Sequence, residues 1–219
     1  VAEKCKGTEV FVLPLDLANQ SNFEQKTSEV ISKFGRIDIL INNGGISQRS
    51  LAKETKVEVD RSIMEINYFG AIALTKAVLP YFLKQGGGMF VVTTSTVGKI
   101  GTPYRSGYSA SKHALHGFYD SLRAEEHDNN IKVLLVCPGF IQTNISINSL
   151  TENGQTLGTM DAATANGLSP KECARQITNG ILAEKQEIVV GGLKEKGGIW
   201  LKRFFPSFFS VVIRKMAVR

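Results

Sequence analysis

Short apolar runs alternate with longer amphipathic segments along this chain. Residues 10–15, 37–42, 88–95 and 131–137 are runs of strand length with apolar side chains at successive positions. That pattern predicts strands covered on both faces. Residues 187–190 read as a last short strand. Between these runs, residues 22–34, 55–84, 107–126 and 170–184 carry helical periodicity. Ser21 and Ser169 stand where helix caps are expected, and Gly70 and Pro80 interrupt the long second segment. The alternation predicts an α/β fold with a parallel sheet between layers of helices. No internal repeat is visible.

Residues 143–168 break the pattern. They are rich in Ser, Thr, Asn and Gly and show little apolar periodicity. The expectation is a mobile lid over a substrate, because the segment directly follows the Pro138-Gly139 turn at a strand end.

The candidate chemistry sits on the 107–126 helix. Tyr108 and Lys112 are four residues apart, and Ser95 lies thirteen residues upstream of the tyrosine, at the end of a buried run. A spacing of four puts the phenol and the ammonium on one helix face, one turn apart. A nearby cation favours phenolate, so Lys112 is expected to lower the Tyr108 pKa and make it a general acid and base. The Ser95 hydroxyl is placed to hold a carbonyl or alcohol oxygen. Small residues flank the tyrosine (Gly107, Ser109, Ala110, Ser111). Tyr108, Lys112, Leu115, Tyr119 and Leu122 follow one another at intervals of four and three, so the reactive pair heads the inward stripe.

Together these residues resemble the short-chain dehydrogenase/reductase family, and the resemblance covers nearly the whole chain. Residues 12–17 look like its strand ending in an acidic residue near adenine. Ile41-Asn42-Asn43-Gly44-Gly45 looks like its Asn-Asn-Ala-Gly turn, with Gly44 in place of alanine. Asn67, Thr94-Ser95-Thr96, Tyr108-Ser109-Ala110-Ser111-Lys112 and the 137–143 turn follow in the family's order. The 111–125 stretch is most similar to the membrane-associated branch near the hydroxysteroid dehydrogenases.

The resemblance implies a Rossmann-like doubly wound parallel sheet and a catalytic set of Asn67, Ser95, Tyr108 and Lys112. Ser95 is also the implied substrate contact. NAD or NADP, with NADP slightly favoured, would be held by Asp16, Leu17, Asn43, Gly44, Tyr108, Lys112, Ile141 and Thr143. Asp16 reads equally well as a plain strand-end residue. The implied reaction moves a hydride between nicotinamide and a lipophilic secondary alcohol or ketone. The alternative is a non-catalytic member of the fold with a binding or membrane-associated regulatory role. Pairing of the 55–84 and 107–126 helices across a two-fold axis implies a homodimer. No glycine-rich phosphate-binding turn occurs ahead of residue 10, and the chain starts with Val1. It therefore reads as lacking the first two strands of the fold, and residues 1–193 as an incomplete domain.

Composition narrows the partners. The three cysteines (Cys5, Cys137, Cys173) are widely spaced, which predicts a reducing compartment and no disulfide framework. His113 and His116 lack a third ligand, so no metal is expected. Residues 194–219 hold seven Lys/Arg and one acid. Removing them from the totals of 26 basic and 20 acidic residues leaves 19 of each. The net charge of +6 thus belongs to the tail, and the neutral body gives no reason to expect nucleic acid. The tail mixes Trp200, Phe204, Phe205, Phe208 and Phe209 with cations, and Pro206 breaks any continuous helix. With no unbroken run of 18 apolar residues, it is expected to lie on a membrane surface rather than cross one. The location expected is intracellular, cytoplasmic or peripherally membrane-associated.

Overall fold

The computed structural model describes residues 7–215, with side chains through Arg214. Cys5 and the last tail cation, Arg219, lie outside the described residues. Four parallel strands form one sheet in the order β1 (Ile39–Asn42), β2 (Gly88–Thr93), β3 (Ile131–Pro138) and β4 (Glu187–Val190). The helices are α1 (Phe23–Phe34), α2 (Val57–Met64), α3 (Gly70–Gln85), α4 (Ser106–Glu125), α5 (Ala162–Ala165), α6 (Pro170–Leu182), α7 (Leu193–Phe204) and α8 (Pro206–Lys215). The chain has the α/β architecture with a parallel sheet that the patterning predicts.

Strand side chains alternate between the two faces. Phe90, Val92, Ile131, Val133 and Leu135 pack with Val78 and Phe82 of α3 and Leu115, Tyr119 and Leu122 of α4. Met89, Val91, Leu134 and Val136 face the other way and meet Cys173, Ile177 and Ile181 of α6. Continuous apolar runs in the sequence therefore correspond to a sheet buried on both sides. One polar network crosses the first layer. Asn42 Nδ2 donates to Thr75 Oγ1 and to Tyr119 Oη, both at 2.9 Å, and the two hydroxyls meet at 2.6 Å.

Two local expectations are corrected. Residues 10–15 form no strand. Among the described residues no strand flanks the free edge of β1, so this run has no ladder to join. Val12 is left 72% exposed, and Ile41 on β1 is half exposed. Ser21 is not a helix cap; the Asn19 side chain accepts from Ser21 N, and α1 begins two residues later. Ser169 does cap α6, accepting from Glu172 N at 3.2 Å. The long helical segment expected over 55–84 is found at residues 57–85, one continuous helical stretch of 29 residues, with an 18-residue window of mean hydropathy 1.3. Length and composition would let it cross a bilayer. Here Ala71, Val78 and Phe82 are buried in the core, and Pro80, Lys76 and Lys84 lie along its length.

A five-residue π turn, Glu65–Phe69, joins α2 to α3. Such turns cost backbone geometry and recur at functional sites. Asn67 is its fully buried member.

Candidate active site

All four strands point their C-terminal ends the same way, so the turns after them gather along one edge. In open parallel sheets this is where ligands bind. The turns contribute Asn43, Thr93 to Ser95, and Pro138 to Phe140. Helix α4 crosses beneath them because its Leu115, Tyr119 and Leu122 are committed to the core. One turn nearer its N-terminus, the same face delivers Lys112 and Tyr108.

Lys112 is 4% exposed. Its Nζ donates to the Thr93 carbonyl at 2.8 Å, and burial pulls its pKa down to about 8. It stands 5.8 Å from the centre of the Tyr108 ring. Gly45 packs over it; a Cβ there would lie 3.6 Å from Nζ and 2.9 Å from Asn67 Oδ1. Asn67 exchanges two hydrogen bonds with the Ile46 backbone, at 2.8 and 2.9 Å. It also donates to Ser111 Oγ at 3.0 Å. Its side chain fixes the turn after β1 against α4.

Tyr108 departs from expectation. Burial raises its pKa above the ordinary phenol value. Opposing that are a hydrogen bond with Ser95 and the positive charges of Arg105 and Arg49. The lowered phenol pKa expected from Lys112 is therefore not found. The Lys112 ammonium is turned onto a backbone carbonyl and is itself weakened by burial. Ser95 Oγ also donates to the Pro138 carbonyl at 3.3 Å and accepts from Val97 N at 3.3 Å.

The implied cofactor residues divide. Asn43 accepts from Thr93 Oγ1 at 2.9 Å, beside the lysine's carbonyl partner. Gly44 lies against Leu17, whose methyl would be 2.6 Å from a Cβ at that position. Ile141 bridges to Leu168. Asp16 is exposed and accepts from Ala18 N at 2.9 Å, a local turn contact. Thr143 is exposed, and its hydroxyl donates to the Ile141 carbonyl at 3.4 Å.

The residues present fit one half of a nicotinamide dinucleotide. A glycine turn allows close approach above a buried ammonium with donors to spare. Among the described residues, the glycine pair that opens a helix is Gly191-Gly192 ahead of α7, and a Gly-x-x-x-Gly-x-Gly turn suited to the diphosphate is not found.

Several site residues were not legible in the sequence. Gln48 is completely buried. Its Oε1 accepts from Gly107 N at 2.8 Å and Tyr108 N at 3.4 Å, capping α4 from another segment. Arg49 donates twice to Asp161 Oδ2, at 3.1 and 2.7 Å. Arg105 lies 3.9 Å from the same carboxylate and 5.1 Å from the centre of the Phe140 ring. Asp161 belongs to the polar 143–168 segment. That segment is tied down: Leu150 N donates to Ser47 O, Arg49 N to Leu150 O and Lys56 N to Glu152 O. It is a docked strap, not a free loop.

These features define a parallel α/β fold with Ser95, Tyr108 and Lys112 gathered at its strand ends. The profile of the short chain dehydrogenase family matches residues 1–154, and the chain belongs to the short-chain dehydrogenase/reductase family. It is 44% identical over 206 residues to the Anopheles gambiae "Dehydrogenase/reductase SDR family protein 7-like", covering 94% of this chain and 65% of that protein. It is 40% identical over 207 residues to the Mus musculus "Dehydrogenase/reductase SDR family member 7B", covering 94% and 64%. The chain thus spans about two thirds of the length of these relatives. Among solved structures, a short-chain dehydrogenase from Streptomyces avermitilis superposes with a TM-score of 0.77 at 26% identity, over 94% of this chain and 80% of that one. One from Burkholderia phymatum, in complex with NAD, gives 0.80 at 19% identity over 92% and 78%, a likeness of fold.

The buried lysine carries a stability consequence. Unfolded, Lys112 titrates near 10.5; folded, near 8. Between those values the unfolded chain binds more protons, so the folded state gains stability as pH rises from about 8 to 10.5 and bears the full cost of charged Lys112 below 8. Lys112→Met in the full-length protein should be more stable than the parent at pH 7 by about 1–3 kcal/mol. The gain should shrink toward pH 10. Urea midpoints at the two pH values measure this, and an equal gain at both would contradict the burial cost.

Proposed function

We propose that the protein is an NAD(P)-dependent oxidoreductase acting on a secondary alcohol or its ketone. The observation that carries this reading is the convergence of Ser95, Tyr108 and Lys112 at the strand ends. The dinucleotide, when bound, supplies or accepts the hydride at nicotinamide C4. Tyr108 passes the proton to or from the substrate oxygen. Ser95 donates to that oxygen and stabilises its developing charge. Lys112 is placed under the Gly45 turn to hold the nicotinamide ribose hydroxyls. Asn67 keeps that turn registered on α4, and Asn43, Gly44, Leu17, Ile141 and Thr143 surround the cofactor. NADP-bound and NAD-bound family structures of similar fold support a nicotinamide cofactor.

Tyr108→Phe in the full-length protein should lower kcat by about 10²-fold or more and leave cofactor affinity within about threefold. Steady-state kinetics and NADPH titration measure the two. A variant keeping a tenth of wild-type kcat would remove Tyr108 from the acid–base role.

We further propose that the 194–219 tail contacts a membrane surface. Trp200, Phe204, Phe205 and Phe208 are each more than half exposed. Lys194, Lys196, Lys202, Arg203 and Arg214 share the same two helices. Each cation near an anionic surface adds about 1 kcal/mol. The tail also touches the body, for Glu195 packs on Gly139, while buried Phe209 lies under Lys202 of the tail itself. Flotation with phosphatidylserine liposomes should carry the intact protein and leave behind one ending at Leu193. Equal flotation of both, or of neither, would make the tail part of the fold alone.

Val57, Phe69 and Leu83 are exposed apolar residues along α2 and α3, and a homodimer through this region with α4 is the assembly we propose. Light scattering at micromolar concentration should give twice the protomer mass; monomer mass alone would exclude it.

A further inference from the structure

Residues 47–50, in the loop after β1, bond in two directions. Toward the strap, the Ser47 carbonyl accepts from Leu150 N and Arg49 N donates to the Leu150 carbonyl, both at 2.9 Å. Gln48 and Leu150 thereby form a parallel bridge. Toward α4, Ser50 N donates to the Tyr104 carbonyl at 3.2 Å, and the Gln48 side chain reaches the first turn of the helix. Tyr104 has a φ of 64°, a left-handed backbone that a residue with a side chain holds only where its surroundings fix it.

Gln48 is completely buried, and both polar atoms of its amide are bonded. Backbone N–H groups only donate, so the amide oxygen must be the atom facing Gly107 N at 2.8 Å and Tyr108 N at 3.4 Å. The amide nitrogen donates to Thr55 Oγ1 at 2.9 Å and to Ser50 Oγ at 3.1 Å. A helix begins with N–H groups that no carbonyl of its own can reach, and the N-cap residue Arg105 gives them no side-chain bond. The acceptor comes from a residue 59 positions away, on a backbone that the strap holds.

We propose that Gln48 is a positioning residue for Tyr108 and couples docking of the strap to the placement of the phenol. The proposal rests on Tyr108 being the acid–base group. The strap fixes the backbone of residue 48, and the side chain of residue 48 fixes the backbone of the tyrosine. A strap displaced from this bridge loosens the mounting of the amide, and the first turn of α4 loses its acceptor. Small misplacements of a reacting group are costly in rate. Ile46 is held separately by Asn67, so the cofactor turn stays in place when Gln48 is changed.

The test is reduction of 9,10-phenanthrenequinone by the full-length protein at saturating NADPH, followed as loss of cofactor absorbance. Gln48→Met is close in shape but cannot accept the two bonds. It should lower kcat by about tenfold or more and leave NADPH affinity within about threefold. Gln48→Asn, one methylene shorter, carries the same expectation and keeps the test decisive if the Met protein does not fold. Gln48→Glu should stay within about threefold of the parent kcat, because a carboxyl oxygen accepts from the same N–H groups in either protonation state. Asp161→Ala removes the strap's anchor on Arg49. It should lower kcat about threefold or more alone and less than about twofold further in the Gln48→Met protein, since coupled residues are not additive. General loosening of the fold would weaken NADPH binding too and would not be rescued by Glu. The proposal is overturned by parent-like kcat in Gln48→Met or Asp161→Ala, by a Glu protein as slow as the Met protein, or by losses that multiply in the double variant. Tyr108→Phe is run alongside: if it stays active, the acid–base reading itself fails. If it is inactive while Gln48→Met matches the parent, only the role of Gln48 fails.

Discussion

The packing of α4 against β2 and β3 is the constraint on which the rest of the site depends. Leu115, Tyr119 and Leu122 are buried in the layer shared with Phe90, Val92 and Leu135. Burying three side chains of this size stabilises the fold by several kcal/mol in all, at about 1.5–3 kcal/mol each. That commitment fixes the rotation of the helix about its axis. A rigid helix cannot bury residues 115, 119 and 122 without also presenting 112 and 108 to the strand ends. The reactive groups are therefore positioned by apolar packing one and two turns away. Gln48 then holds the start of the helix by bonding the free N–H groups of Gly107 and Tyr108, a task that the Arg105 side chain does not perform.

The same burial that positions the site makes it costly. Among the described residues Lys112 Nζ has the Thr93 carbonyl as its acceptor, and buried Arg105 has two nitrogens without a hydrogen-bond partner. Neither arrangement maximises stability, since buried cations without full partners are destabilising. Tyr119 is the contrast. Its hydroxyl is enclosed by Asn42 and Thr75, and burial keeps it neutral well beyond any physiological pH. His116 is likewise buried and is pushed down to about 4, chiefly by burial, so it is neutral at pH 7. One helix thus carries a tyrosine at 119 enclosed by Asn42 and Thr75 and another at 108 that bonds Ser95 at the strand ends, each raised chiefly by burial.

Local spacing explains what could be read from the sequence. Tyr108 and Lys112 are one turn apart on a helix whose apolar stripe is plain, and the strand runs are short and continuous, so their placement follows from periodicity. The Arg49–Asp161 pair joins residues 112 positions apart, and no local pattern announces it. The same pair helps to hold 143–168, a segment whose composition alone reads as a mobile lid. Its composition is polar because it is held by backbone bonds and one buried charge, not by an apolar stripe. Residues 10–15 failed in the other direction. Their composition suits a strand, but a strand is a property of a pair, and among the described residues they pair with none. The phenol shift was misjudged because spacing gives the proximity of Lys112 and says nothing of its burial or of where its ammonium points.

The strap and the tail meet the site from two sides. Asp161 ties 143–168 to the loop after β1, while Glu195, in the first turn of α7, lies against Gly139 in the turn after β3. Phe140 follows that glycine and carries the Arg105 guanidinium on its ring. The tail's first turn and the Arg105 side chain therefore rest on consecutive residues of one strand-end turn.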